Sequence, residues 1–257
     1  MTQSERLEFL IKYLLQERGE DFALPADGGQ LFRLYRGLVN VREPLPAGED
    51  YLAVEDEFLR ACIAGKGVTQ SSTLTRCASD PRISIWQGDI TLLDADAIVN
   101  AANSALLGCF APNHACIDNC IHTFAGVRLR LACAEIMRRQ GHPELTGTAK
   151  LTPAFNLPSR FVLHTVGPIT DGSVSERDCE LLASCYRSCF SLADEQGLES
   201  IAFCCISTGV FRFPNDAAAE IAVKTVQACL DGAKSIRHVV FNVFKPLDLR
   251  IYTELLR

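Results

Sequence analysis

The sequence predicts an α/β protein in which a mixed, largely parallel sheet carries helices on both faces, preceded by a helical N-terminal extension. Three observations predict it. From residue 82 onward, short apolar runs alternate with longer amphipathic stretches, the pattern of strand–helix repeats. Before residue 80 only the helical period is present. Finally, the apolar runs exit into polar residues, and open sheets of this kind bind ligands at the carboxyl ends of their strands.

The extension, residues 1–80, is taken first. Leu7, Leu10, Ile11, Leu14 and Leu15 form one helical stripe, with Ser4 as its expected cap. A turn at Pro25-Ala26-Asp27-Gly28-Gly29 leads into a second stripe of Leu31, Leu34, Tyr35 and Leu38. Pro44-Leu45-Pro46 breaks the chain before a third, acidic stretch from Asp50 to Ile63. Such stripes need an apolar surface to cover, so the extension is expected to pack on the main domain, residues 82–257, as a stabilising cap without chemistry of its own.

In the main domain, strands are expected at Ile83–Ile90, Ala97–Asn103, Phe161–Val166, Ser200–Ser207 and His238–Phe244. Helices are expected at residues 117–139, 176–196, 217–231 and 247–256. Asp89, Asn100, Asn103 and Ser207 fall at strand exits and are predicted to converge. Gly65-Lys66-Gly67 and Ser71-Ser72-Thr73 do not form the glycine-lysine phosphate loop of nucleotide-triphosphate enzymes.

The chain has 257 residues, 48% hydrophobic and 22% charged, with a net charge of −6 and no long basic run, which argues against a nucleic-acid partner. It opens on no basic and apolar leader, and no apolar run approaches the ~18 residues of a membrane helix. A cytoplasmic protein with no membrane association is therefore expected, its twelve cysteines reduced, including buried strand thiols at Cys204-Cys205.

The densest chemistry lies between residues 100 and 126. Cys109, His114 and Cys116 form a Cys-x4-His-x-Cys set beside Pro112-Asn113. Two thiolates and an imidazole suit zinc, and three ligands leave a tetrahedral position that water or a substrate oxygen can reach. The spacing also admits a closed structural zinc completed by Cys120 or His122, and a metal-free reading in which the thiols simply pack.

Several segments in order resemble the macrodomain family, which binds ADP-ribose. They are Gln87-Gly88-Asp89-Ile90-Thr91, Asp96-Ala97-Ile98-Val99-Asn100-Ala101-Ala102-Asn103-Ser104, Ile117-Asp118-Asn119-Cys120-Ile121-His122, Gly147-Thr148-Ala149-Lys150, His164-Thr165-Val166-Gly167-Pro168 and Ile206-Ser207-Thr208-Gly209-Val210-Phe211. The resemblance implies a three-layer α/β/α macrodomain and looks like the MacroD-type hydrolase branch. Where that branch has a glycine-rich run, this chain has Gly108-Cys109-Phe110-Ala111-Pro112-Asn113-His114-Ala115-Cys116, similar to zinc-containing microbial macrodomains. One Zn2+ per chain on Cys109, His114 and Cys116, in an open site, is what the likeness implies, together with a functional link to a sirtuin-type ADP-ribosyltransferase.

The roles implied by the resemblance follow residue by residue. Asp89 and the Ile90 backbone would receive adenine, and Phe244 would stack on it. Asn100 and Asn103 would meet ribose hydroxyls. Ser207, Thr208, Gly209, Val210 and Phe211 would cradle the pyrophosphate through backbone N–H groups, with Phe211 beside the distal ribose. Asn103 and Asp118 would act in catalysis, Asp118 orienting water or serving as base; as a helix-start acid it also suits the dipole. His122 is expected to be a buried, hydrogen-bonded histidine and His164 a core residue. The implied activity is zinc-dependent removal of mono-ADP-ribose from proteins, O-linked at acidic side chains. The alternatives are an ADP-ribose reader without turnover and an O-acyl-ADP-ribose deacylase.

Overall fold

The computed structural model describes residues 1–171 and 173–257. Its first three helices are α1 (Gln3–Glu17), α2 (Gly28–Val41) and α3 (Glu49–Lys66). The stripe of α1 is buried as expected, at Leu7, Leu10, Ile11, Leu14 and Leu15. Its cap differs. Thr2, not Ser4, takes the Glu5 N–H while Glu5 accepts the Thr2 N–H, because this reciprocal capping box satisfies two end donors at once.

The remaining elements are β1 (Thr69–Gln70), β2 (Ile83–Gln87), β3 (Leu93–Asp94), β4 (Ala97–Ala101), α4 (Ile117–Ala125), α5 (Val127–Gln140), β5 (Ala149–Pro153) and β6 (Phe161–Thr165). They are followed by α6 (Glu176–Glu195), β7 (Ser200–Phe203), α7 (Asn215–Asp231), β8 (His238–Val243) and α8 (Pro246–Leu255). β2, β8, β7, β4, β6 and β5 hydrogen-bond in that order into a six-stranded sheet. Every pairing is parallel except the one between β5 and β6. α6, α7 and α8 pack in sequence along one layer; α4 and α5 lie against β4 and β5. The central strands are buried along nearly their whole length, which is why they read as unbroken apolar runs.

Several elements depart from the sequence reading; β2, β4 and β7 end at Gln87, Ala101 and Phe203, two to four residues short of the expected runs. β5 has no apolar run, since Lys150 and Pro153 interrupt it; as an edge strand it tolerates a residue that cannot donate to the ladder. β1 and β3 form a separate two-residue pair. The helix expected over 117–139 is two helices, broken at Gly126, whose φ of 90° favours glycine. Tertiary contact explains the break. Glu55 of α3 accepts the Val127 N–H at 2.9 Å, and a Cβ on Gly126 would lie 2.7 Å from Glu55 Oε2.

The extension thus meets the main body through specific polar contacts as well as apolar ones. Glu55 also accepts the hydroxyls of Tyr35 and Tyr51 at 2.9 and 3.0 Å. Arg130 of α5 is buried and donates to the carbonyls of Val39 and Arg42 at the end of α2. All twelve cysteines are free thiols; Cys204 is buried and Cys205 half-buried, both just beyond β7 rather than within it. Among the described residues no helix is long and apolar enough to cross a membrane.

Candidate functional site

Because β2, β8, β7 and β4 are adjacent and parallel, the residues that follow them line one carboxyl rim. Asp89 follows β2, Phe244 follows β8, the loop from Ser207 to Phe211 follows β7, and Asn103 follows β4. Asn100 differs from the other three predicted exits. It lies within β4, paired in register with His164 of β6, and is fully buried.

At the β2 end, Asp89 caps a short 3₁₀ turn, accepting the Thr91 N–H at 3.0 Å and its hydroxyl at 2.7 Å. Ile90 is buried. Phe244 is 74% exposed, so its ring is not a core residue. In the β7 loop, Ser207 adopts φ +65° and its hydroxyl, though buried, meets no hydrogen-bond partner among the described residues. That conformation is costly for a side-chain-bearing residue and is held here by the Phe213 N–H donating to the Ser207 carbonyl at 3.0 Å. Gly167 passes so near that a Cβ there would lie 2.0 Å from Ser207 Oγ. Among the described residues no protein acceptor takes the N–H of Gly209, Val210 or Phe211, and Val210 is 69% exposed. Successive unspent N–H groups on an open loop form an anion-binding concavity. Thr170 steadies its far side through the Phe211 and Arg212 carbonyls.

Asp118 stands at the first turn of α4 and is buried. Asn100 Nδ2 donates to one of its oxygens at 2.8 Å and Asn103 Nδ2 to the other at 3.3 Å. Asn103 is itself fixed by the Gly108 carbonyl at 3.0 Å and the Ala105 N–H at 3.0 Å. Burial pushes the Asp118 carboxyl up to about 6, against the Asn100 hydrogen bond and the positive charge of Arg130. His164 is a core residue as expected: it meets Asn100 at 3.2 Å and Thr152 at 2.9 Å, and burial lowers it to about 4.

His122 corrects one expectation. It is buried, but neither ring nitrogen has a hydrogen-bond partner among the described residues; Asp118 Oδ1 lies 3.6 Å from Nε2, beyond hydrogen-bond range. Burial, with His164 and Arg130 nearby, holds it well below the usual histidine range, so it is neutral.

Cys109, His114 and Cys116 come together immediately before α4, their donor atoms all within 4.8 Å of one another. Cys109 Sγ and His114 Nδ1 are 3.6 Å apart. Ordinary zinc–sulfur and zinc–nitrogen bonds at a tetrahedral angle span ~3.6 Å, so this pair matches a zinc edge. The residues fit the ion in chemistry and spacing. Neither Cys120 nor His122 joins the group, so three side chains are available to an ion among the described residues. Burial pushes the Cys116 thiol up to about 12, while the Asn119 N–H donating to its sulfur pulls the other way; a metal cation would reverse the net direction.

Four residues around this loop carried no role in the sequence reading: Arg36, Asn40, Asn119 and Arg130. Asn119 sits inside the Ile117–His122 segment, but Arg36 and Asn40 are polar residues beside an ordinary helical stripe, which carries no signal of what they touch.

Comparison with known proteins places the whole chain. The Macro domain model matches residues 99–222. A relative from Treponema medium named protein-ADP-ribose hydrolase is 52% identical over 260 residues, covering 100% of both chains. A protein-ADP-ribose hydrolase of Staphylococcus aureus is 52% identical over 256 residues, 98% of this chain and 96% of its own. Among solved structures, a mutant Oceanobacillus iheyensis macrodomain with ADPR is 40% identical with a TM-score of 0.62, covering 67% of this chain and 90% of its own. A Trypanosoma brucei macrodomain in complex with ADP-ribose is 30% identical with a TM-score of 0.66, covering 86% of this chain and 95% of its own. With a parallel strand-end rim and an identity sustained over its full length, the chain belongs to the macro domain family.

Proposed function

We propose that this protein is a zinc-dependent hydrolase that removes mono-ADP-ribose from modified proteins, at O-glycosidic esters of acidic side chains. The observation that carries the reading is the meeting of Asp118 and the Cys109–His114–Cys116 set at one helix start, beside Asn103 on the strand-end rim. The full-length identity to relatives named protein-ADP-ribose hydrolase supports the same class of reaction.

In this reading Asp89 and Ile90 hold the adenine, and the Ser207–Phe211 loop takes the pyrophosphate on backbone N–H groups. Binding energy from these remote parts places the anomeric carbon beside Asn103 and Asp118. Asp118 orients the attacking water and accepts its proton as the bond to the leaving carboxylate breaks and the new C–O bond forms. Asn103, with both amide hydrogens on Gly108 and Asp118, meets a distal ribose hydroxyl through the remaining lone pair of its Oδ1. Asn100, fully buried with its Nδ2 between Asp118 and His164, serves by fixing the carboxylate rather than by touching the ligand. Cys109, His114 and Cys116 would hold the zinc, which would supply Lewis acidity when bound. The modification it removes is of the kind that a sirtuin-type ADP-ribosyltransferase installs.

Metal content by mass spectrometry, on wild type and Cys116→Ala, paired with release of ADP-ribose from an acidic-residue-modified protein, tests this reading. One zinc per chain, with metal and release both lost in a folded variant, is the expected result. Zinc without release from any such ester makes the protein a reader, release only from O-acyl-ADP-ribose makes it a deacylase, and absence of metal refutes the zinc assignment.

A further inference from the structure

Helix α2 of the N-terminal extension reaches the loop that carries the three candidate zinc ligands. Arg36 Nη2 donates to the His114 carbonyl at 2.8 Å, and Nε and Nη2 both donate to Asn119 Oδ1, at 3.2 and 2.9 Å. A guanidinium only donates, so this pair fixes which end of the Asn119 amide faces it. The Asn119 NH2 must then face the loop, where it donates to the Ala111 carbonyl at 3.0 Å and the Cys109 carbonyl at 3.3 Å. The Asn119 backbone N–H points at Cys116 Sγ, 3.4 Å away. Each of the three ligands is therefore one hydrogen bond from Arg36 or from the asparagine that Arg36 orients.

One helical turn further, Asn40 secures the loop between the ligands. Its Oδ1 accepts the Asn113 N–H at 2.9 Å, while its Nδ2 donates to Thr123 Oγ1 of α4 at 3.0 Å. Asn113 adopts φ +57°, a left-handed turn that sets the direction in which His114 leaves the chain. Asn40 is only 1% exposed, so no solvent competes for this bond. The loop makes few bonds of its own: of its backbone N–H groups from 109 to 116, His114 donates to Ala111 and Asn113 to Asn40. Its shape is set mainly from outside.

We infer that the N-terminal extension is a working part of the metal centre, with Arg36 and Asn40 as positioning residues that hold Cys109, His114 and Cys116 in ligand geometry. The inference rests on the zinc assignment proposed above and goes beyond it by assigning a function to residues outside the macrodomain core. Partners behind metal ligands set ligand orientation, and losing one costs roughly 10–100-fold in metal affinity. A scaffold role alone would change stability without changing the ligand field.

The test uses full-length protein, Zn2+ in competition with a chromophoric chelator, and Co2+ as a spectroscopic probe. Arg36→Gln, Arg36→Lys and Asn40→Ala are compared with wild type. Arg36→Gln and Asn40→Ala are expected to weaken Zn2+ binding by about 10-fold or more and to shift the Co2+ ligand-field bands, with ADP-ribose affinity unchanged within about 2-fold. Arg36→Lys keeps the charge but not the two-pronged contact, so it restores part of the affinity and also covers the case in which Arg36→Gln does not fold. Wild-type Zn2+ affinity and unshifted Co2+ bands in all folded variants overturn the inference and leave the zinc assignment standing. Failure of wild type itself to bind Zn2+ or Co2+ overturns both.

Discussion

Replacing Glu55 by Gln tests how the extension is joined to the main body. Glu55 is 1% exposed and accepts three hydrogen bonds, from Tyr35, Tyr51 and the Val127 N–H that opens α5. Glutamine offers one acceptor oxygen and one NH2, so it can serve the two tyrosines or Val127, but not both. In the milder case its oxygen keeps the tyrosines and its NH2 faces the Val127 N–H. One hydrogen bond to a charged acceptor is then lost, about 1.5–3 kcal/mol, and a buried donor is left unpaired. Opposing this, burial holds the Glu55 carboxyl above its usual range, so a neutral amide recovers some desolvation cost. The expected net loss is about 2 kcal/mol, which in a chain of this size lowers the melting temperature by roughly 4–8 °C.

Melting followed by circular dichroism reads this directly. The pH dependence supplies a second check. A raised pKa in the fold means stability is greatest below the ordinary carboxylate value and falls as pH climbs through the raised one; Glu55→Gln removes that slope. Glu55→Leu, which deprives all three donors, should cost more than Glu55→Gln. A glutamine variant that melts within about 1 °C of wild type would refute the idea that this carboxylate links α2, α3 and the α4–α5 break.

Further outcomes are expected elsewhere. Asp118→Asn should lower ADP-ribose release by about 10²–10⁴-fold while ADP-ribose binding by calorimetry changes little; equal losses in both would move Asp118 from catalysis to binding. Gly167→Ala places a Cβ 2.0 Å from Ser207 Oγ and 2.9 Å from Ile206 Cγ2. Rotating the hydroxyl relieves only the first contact, so the loop must shift, and ADP-ribose affinity should drop about 10-fold, or 1.4 kcal/mol. Unchanged affinity would separate this loop from the pyrophosphate. His164, buried as the neutral form with its pKa near 4, should make the fold lose up to about 3 kcal/mol as pH falls from 6.5 to 4. In denaturant titrations His164→Gln should flatten that slope; an undiminished slope would assign the acid sensitivity to other groups.

Much of the molecule is legible in the chain because its elements obey local rules. β4 and β8 are buried along their length and therefore appear as apolar runs; α1 covers a surface with one face and therefore shows a helical stripe. The polar residues at the rim are visible for the same reason, since each breaks such a run where its strand ends. The Cys109–His114–Cys116 trio is legible because its three residues lie within eight positions, close enough for one loop to gather them.

Contacts between distant segments are what only tertiary structure decided. Residues 117–139 keep a continuous helical pattern, yet Glu55 from another helix breaks them at Gly126 by claiming the Val127 N–H. Asn100 looks like a strand-exit ligand residue, but the register of β4 against β6 points it inward, onto Asp118 and His164. His122 is buried without, among the described residues, the partner its polarity calls for. Arg36 lies 83 residues from the asparagine it orients. A side chain's period along the sequence records whether it faces the core or water, but not which distant group it meets there, because that depends on how whole elements pack.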